Sequence, residues 1–502
     1  MRFTLVGYEF LRDHLNLSAF PCSVPARISN APKIRERAGF LEVPETVAPL
    51  THDTLEHVLF ALKHEGINLQ ILCQAMRRIP MDKIVSAVTN HPASKYVRMA
   101  AYLWEQFSGQ EINDVPSATG PYVDLFDDTK YLTGRRQRNT KWRIDFNGLG
   151  NMHWCPTVKK TESIKNLLSK NTLKCAQEFV REMDSNMRDR AMSWSYLSET
   201  ESSFAIEREA PSNSKTQAFT DLLKRAKDKS PVTEDYLVQL QNLAMTDKAR
   251  FDVQFRNRLN WLRGAGGGVL AVTYIPPEPT LIPDLMAQIM NLVNDPPQDV
   301  NPLVVGSLAS FAFVFTHPFM DGNGRLSRFL FHKVVCKSEV LDQGLVLPIS
   351  IAMKRNESAY LEALKSFSAQ ARKNWDVMMI DEFNYEFKFK GDPSIYRFWD
   401  ATKCVEFGLE MAEQSLQVDL KKECEFLKNF DYVFKNVNDQ IDVENNILSL
   451  MIRICLKNNG EFSNNKRKMF LEKGIKEFAL NLIESCAKDL NYDNAEIESP
   501  SD

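Results

Sequence analysis

The stretch His317-Pro318-Phe319-Met320-Asp321-Gly322-Asn323-Gly324-Arg325-Leu326-Ser327-Arg328 gathers an imidazole, a carboxylate, two glycines and two guanidiniums into one short run. Together these types and spacings describe an anion site. Arg325 and Arg328 lie three apart and so share a helix face, and helical side chains lean back towards the N-terminus, where an anion would sit. Gly322 and Gly324 supply torsion angles that other residues resist and let a ligand approach the backbone, while Asn323 tolerates such angles and adds an amide. Asp321 beside a polyphosphate is a natural Mg²⁺ ligand, because that ion takes one or two carboxylates plus substrate oxygens. His317 is then free to act as a general base.

Two helices must position these groups. Leu303 to Phe315 is almost wholly apolar, and its length and residue mix suit a buried helix better than a strand. Pro318 and the Gly322-Asn323-Gly324 run cannot continue that helix, so the chain turns there. Leu326, Phe329, Leu330 and Val334 then recur at helical spacing. The loop therefore opens a second helix, whose first turn leaves backbone N–H groups unpaired at the positive end of the dipole.

The stretch matches every fixed position of the Fic signature, H-x-F-x-[D/E]-G-N-G-R-x-x-R, through His317, Phe319, Asp321, Gly322, Asn323, Gly324, Arg325 and Arg328. The chain thus resembles the Fic family, and the resemblance implies transfer of AMP from ATP to a protein hydroxyl. It implies His317 as catalytic base, Asp321 as the Mg²⁺ ligand, and Gly322, Asn323, Gly324, Arg325 and Arg328 as the nucleotide site. The partner it implies is a protein bearing a Ser, Thr or Tyr hydroxyl, the chain itself included, with a homo-oligomer left open.

Three further segments fit the resemblance. Ser203 and Glu207 stand four apart and share one helix face. By themselves they read as a capping serine and a solvated glutamate, but Ser203-Phe204-Ala205-Ile206-Glu207 is similar to the family's inhibitory motif [S/T]-x-x-x-E-[G/N] in its first five positions. Ser203 and Glu207 are therefore expected to regulate the site, with Glu207 paired to Arg328. Arg208 stands where the family has Gly or Asn, which bears on how the helix ends. The glycine run Gly264 to Gly268, flanked by β-branched residues, is a hairpin signal and lacks the Lys-Ser/Thr of a Walker A loop. It falls where the family has its flap, here between about Leu259 and Ile275. Tyr360 and Leu364 lie where family members contact the nucleotide base.

Composition sets the outer limits. The 502 residues are long enough for two or three domains, and the formal charge of -3, with both signs interspersed, argues against nucleic-acid binding or a membrane surface. The short basic run Arg135-Arg136-Gln137-Arg138 reads as solvated loop. Nine scattered cysteines with no C-x-x-C pair suit reduced thiols, and His153, Cys155 and Asp145 fit no metal-ligand spacing. No signal-like N-terminus and no apolar run of membrane-spanning length is seen, so a cytoplasmic protein is expected. The expected fold is mainly α: a multi-helix Fic core with a small β-hairpin flap, flanked by helical N- and C-terminal domains. The expected divisions are residues 1–110 as an N-terminal helical region opening on an irregular arm or short elements packed on the domain behind, 111–160 as a connector with one short hairpin, 161–385 as the catalytic domain including the inhibitory helix, and 386–502 as a C-terminal helical domain. The last residues, 494–502, are expected to fray. Hydrolytic removal of AMP, with Glu207 positioning water, is the alternative within the enzyme reading. A nonenzymatic interaction protein is the third reading, against which stands the intact motif.

Overall fold

The computed structural model describes residues 4–49, 52–245, 247–341, 345–381 and 384–490. Residues 494–502, expected to fray, lie outside them. The fold is mainly helical.

The N-terminal unit starts with β1 (Leu5–Val6), α1 (Gly7–His14), β2 (Ala26–Ser29), β3 (Arg35–Arg37) and β4 (Phe40–Pro44). Their sheet has the order β1-β2-β4-β3, with only β2 and β4 parallel. Four helices follow: α2 (Thr54–His64), α3 (Leu69–Met76), α4 (Met81–Asn90) and α5 (Lys95–Ser108). Of the two readings for this stretch, an irregular arm or short elements, the short elements are present, and their pairing into a sheet was not expected because the strands are two to five residues long and β3 is all charge. Such strands are too short to show a period of two.

The stretch 111–160 is likewise more than a connector. It supplies β5 (Val123–Asp124), β6 (Gln137–Asn139) and β7 (Ile144–Phe146), in the order β5-β7-β6. Leu125, Phe126, Tyr131, Trp142, Ile144 and Phe146 join the helices α1 to α5 in one apolar core. Leu125, Phe126 and Tyr131 lie in a polar stretch and are buried by tertiary contact, while Trp142, Ile144 and Phe146 alternate with Arg143 and Asp145 as a strand does, and β6 with β7 forms the one short hairpin expected here.

The central unit runs through α6 (Glu162–Ser169), α7 (Thr172–Arg181), α8 (Ser185–Ile206), α9 (Asn213–Lys224) and α10 (Glu234–Ala244) to the hairpin β8 (Leu262–Arg263) and β9 (Val272–Tyr274). Then come α11 (Ile282–Asn294), α12 (Pro302–Thr316) and α13 (Asn323–Lys337), followed by α14 (Ile349–Arg355) and α15 (Glu357–Arg372). Helix α12 starts on Asn301, whose side chain accepts from Leu303 N, with Pro302 in the first turn where its missing N–H costs nothing. It is apolar all round because α11, α13 and, from further along the chain, Thr402–Gln414 cover it on different sides.

A second hairpin, β10 (Trp375–Met379) with β11 (Tyr385–Phe389), was not expected. It packs on the first through Val272, Ile275 and Trp375. Helices α16 (Ser394–Arg397) and α17 (Thr402–Gln414) both lie in the central core, so the expected C-terminal domain gives its first two helices to the central unit. A separate core, beginning at Val433, holds α18 (Lys421–Asn438), α19 (Asn445–Lys457), α20 (Asn464–Glu472) and α21 (Glu477–Lys488) together. Among the described residues no helix is long and apolar enough to cross a membrane.

Candidate active site

Helix α12 ends at His317, whose backbone turns left-handed (φ 50°, ψ 59°) while its N–H still bonds Phe313 O at 2.8 Å. A bulky residue pays for that conformation, so the surroundings must hold it. The imidazole Nδ1 lies 3.3 Å from Val314 O, which leaves Nε2 as the atom able to take a proton. Burial pushes the ring's pKa down to about 4, against the Val314 carbonyl, and nearby Arg256 adds to the lowering. The ring is therefore neutral, as a base must be.

The next turn is locked from inside. Phe319 is fully buried against Phe255, and Asn323 clamps its backbone from both sides, Oδ1 accepting from Phe319 N at 3.0 Å and Nδ2 donating to Phe319 O at 2.8 Å. This corrects the expectation for Asn323: its amide is spent on the loop, and it is already helical. Of the two glycines only Gly322 uses its freedom, at φ +83° in the N-cap position of α13. Gly324 lies under the Glu207 carboxylate, which a larger residue would displace. A Cβ there would sit 2.0 Å from Glu207 Oε1.

Asp321 accepts from Gly322 N at 2.6 Å through one oxygen and pairs with Arg250 Nη1 at 2.8 Å through the other. Among the described residues no group of three acidic, His or Cys side chains could hold a metal ion by itself. A lone half-exposed carboxylate beside an anion site fits Mg²⁺, which arrives with its phosphates and keeps most of its waters. Arg250 would have to yield.

Both arginines of the motif are buried, and both carry carboxylates from the end of α8. Arg328 Nη2 bonds Glu207 Oε1 at 2.9 Å and Ser203 O at 2.9 Å, while its Nε bonds Ser203 Oγ at 2.8 Å. The expected Glu207–Arg328 pair is thus present. Arg325, expected to face phosphate, instead pairs through Nη1 with Glu209 Oε2 at 2.9 Å and with Ala244 O at 2.9 Å. Arg325 Nε and Arg328 Nη1 remain buried with no acceptor among the described residues, so each guanidinium has a donor to spare.

The end of α8 explains how two carboxylates reach two arginines. Glu209 N bonds Phe204 O and Arg208 N bonds Ala205 O, a Schellman closure with Arg208 left-handed at φ +58°. Arg208 therefore adopts the angle that Gly or Asn would take there, at a cost of about 1 kcal/mol, and the helix ends as the motif requires. Further back, Glu199, Ser203 and Glu207, four apart, meet His332, Arg328 and Gly324, also four apart, so α8 and α13 run antiparallel along a polar ladder. Its inner rung is Glu199, fully buried: burial raises its carboxyl, but His332 Nε2 at 3.0 Å and the Ser350 hydroxyl and N–H outweigh that and hold it below the usual range.

Sequence reasoning missed Glu209, Arg250, Arg256 and the Glu199–His332 rung. Glu209 had one usable signal, a second acid two residues past Glu207 across a required turn. The hairpin β8–β9 lies within the expected flap, its Gly268 O accepting from Tyr385 OH on the second hairpin at 3.1 Å. Tyr360 stacks on Phe407 at 5.6 Å beside the central core, and Leu364 packs against that core as well. Burial pushes the Tyr360 hydroxyl up to about 12, with Arg328 opposing.

Residues 231–335, which hold α10, the first hairpin and the α12–loop–α13 unit, match the model of the Fic/DOC family. Similar solved structures include a Fic family protein from Desulfovibrio desulfuricans G20 (18% identity, 64% of this chain and 87% of that one, TM-score 0.38). Another is a Fic domain containing signaling protein from Bacteroides thetaiotaomicron VPI-5482 (19%, 52% and 96%, TM-score 0.37). A third is residues 134–508 of Fic-1 from C. elegans (13%, 76% and 90%, TM-score 0.34). The ladder helix α8 lies outside the matched span, and within that span the chain carries a Fic/DOC family domain.

Proposed function

We propose that the protein transfers AMP from ATP to a Ser, Thr or Tyr hydroxyl of a protein, its own chain included, and that Glu207 and Glu209 hold it silent. One observation carries the reading: a carboxylate of the chain itself, Glu207, lies against Gly324 at the N-terminus of α13, bonded to Arg328. The position is one an anion occupies, and in the active state that anion is the triphosphate. His317 Nε2 takes the proton of the target hydroxyl, whose oxygen attacks the α-phosphorus in line. The bond to the bridging oxygen breaks and pyrophosphate leaves with the electron pair. Arg325 and Arg328, released from Glu209 and Glu207, grip the phosphates, and the first-turn N–H groups of α13 meet the charge that develops. Asp321 would hold Mg²⁺, which neutralises phosphate charge. The nine cysteines are all free thiols, which supports a reducing, cytoplasmic setting.

The test is incubation of the Glu207→Gly, Glu209→Gln variant with a cell lysate and ATP labelled at the α-phosphate, followed by mass spectrometry. Proteins gaining AMP on a hydroxyl support transfer; label at background with ATP still bound overturns it. A carboxylate poised over the nucleotide site also suits water activation. Loss of AMP from a pre-labelled target on adding the wild-type protein would assign the hydrolytic direction.

A further inference from the structure

The end of α12 should leave its last carbonyls unpaired, yet five consecutive carbonyls from Phe315 to Phe319 each meet a donor from the flap or the segment before it, Phe319 O in addition to its bond from Asn323. Tyr274 OH donates to Phe315 O at 2.5 Å. Arg256 reaches the next three, Nη2 to Thr316 O at 3.5 Å, Nε to His317 O at 2.8 Å and its backbone N–H to Pro318 O at 2.7 Å. Asn260 Nδ2 takes Phe319 O at 3.1 Å. Arg256 also binds Pro277 O at 2.7 Å and Arg258 O at 3.0 Å, so one side chain ties the catalytic turn to both ends of the hairpin.

Arg256 is almost wholly buried and its hydrogen bonds go to carbonyls rather than carboxylates. An unneutralised buried guanidinium is costly, and the negative end of the α12 dipole is what offsets it. A neutral side chain could fill the space more cheaply. The cost suggests a task, and the adjoining residue is His317, in a left-handed turn that a histidine does not hold unaided.

We propose that Arg256 is a positioning residue for His317: by bonding the carbonyls of Thr316, His317 and Pro318 it fixes the turn that aims the imidazole, and joins that turn rigidly to the flap. The proposal rests on the transfer reading above. It follows that the hairpin β8–β9 and His317 move as one body. Arg256 touches neither nucleotide nor target and acts through the backbone of His317.

The experiment uses the full chain in the Glu207→Gly background, with Arg256→Lys keeping the charge but not the fork, and Arg256→Gln keeping two donors without charge. Expected is a fall in kcat of roughly 10- to 100-fold in both, the cost of misplacing a reacting group by about 1 Å, with KM for ATP unchanged because Arg325 and Arg328 bind the phosphates. In protein labelled with ¹⁵N at histidine, the His317 ring resonances, identified by their absence in His317→Ala, should move or broaden while those of His153 and His332 stay. Unchanged kcat with unchanged His317 resonances would overturn the proposal. So would a kcat loss matched by an equal rise in KM, or movement of all histidines together, either of which marks a general structural role. Should Glu207→Gly itself transfer nothing, the transfer reading fails, and the His317 resonances alone then decide for or against the positioning role.

Discussion

Release of the α8 carboxylates can be worked through in numbers. Each lock is a charge-assisted bond of 2.9 Å to a guanidinium that is 1 to 2% exposed, from a carboxylate that is 35% exposed in Glu207 and 26% in Glu209. Such bonds contribute ~1.5 to 3 kcal/mol when buried, and partial exposure lowers that to about 1 to 2 kcal/mol each. A triphosphate can displace them only at that cost, and ~1.4 kcal/mol is tenfold in rate. Glu207→Gly should thus raise auto-labelling about tenfold, and Glu207→Gly with Glu209→Gln about 100-fold over wild type. Glu209→Gln alone should gain less than tenfold, since Glu207 still covers Gly324. Adding Arg328→Ala to Glu207→Gly should abolish the gain. The assay is label from α-labelled ATP per folded molecule, with all variants on one gel. A double variant no faster than Glu207→Gly would refute the second lock, and equal labelling of every variant and wild type would refute the autoinhibitory scheme.

Other outcomes follow from single contacts. His317→Ala should lose transfer by ~10² to 10⁴ and bind ATP nearly as before; a variant that keeps its turnover removes His317 as the base. Since burial depresses His317 to about 4, its base form persists well below neutral pH, so kcat of the released enzyme should stay level from pH 8 to about 5 and fall only as the ring protonates, whereas a midpoint near 6.5 would show a solvated ring. Arg208→Asn places a residue that tolerates left-handed angles at the end of α8 without adding glycine's chain entropy. It should stabilise that helix end by about 0.5 to 1 kcal/mol, read as slower amide exchange there and as weaker labelling by this variant than by the wild type; faster exchange would contradict the strained cap. Asn323→Ala leaves the buried Phe319 N–H unpaired, its carbonyl still held by Asn260, and should cost ~1 to 3 kcal/mol in denaturant unfolding, while no measurable loss would mean that the loop does not depend on the clamp.

What was legible in the sequence was what local chemistry dictates. Pro318 and Gly322 mark the turn, the apolar run marks α12, and the four-residue spacing of Ser203 and Glu207 puts them on one face whatever they meet. The Glu207–Arg328 pair was legible only through resemblance, because no local rule says which guanidinium a glutamate 121 residues away will find. Asn323 was misread for a physical reason: an amide that tolerates odd angles can also clamp a neighbour, and only the position of Phe319 decides between them. Arg256 and Glu199 carry no sequence signal. A buried charge looks like a surface charge until its partners, which come from distant segments, are in place. The sheet of the N-terminal unit was hidden for the same cause, being assembled from pieces too short to declare a period.

The ladder between α8 and α13 grows wetter along its length. Glu199 and Ser203 are dry, while Glu207 and Glu209 are a quarter to a third open to water. Parting the dry rungs would strand buried polar groups, at ~1 to 3 kcal/mol for each one left unpaired, but water can take over from either outer carboxylate at little loss. The pair of helices therefore behaves as a zip fastened at one end, able to fray by the turn that starts at Ala205 while Phe204, buried against Phe219, and the rest stay shut. On the transfer proposed above, only that last turn needs to melt for Arg325 and Arg328 to be freed, so a ligand or modification that favours its melted form would act without moving the rest of the helix.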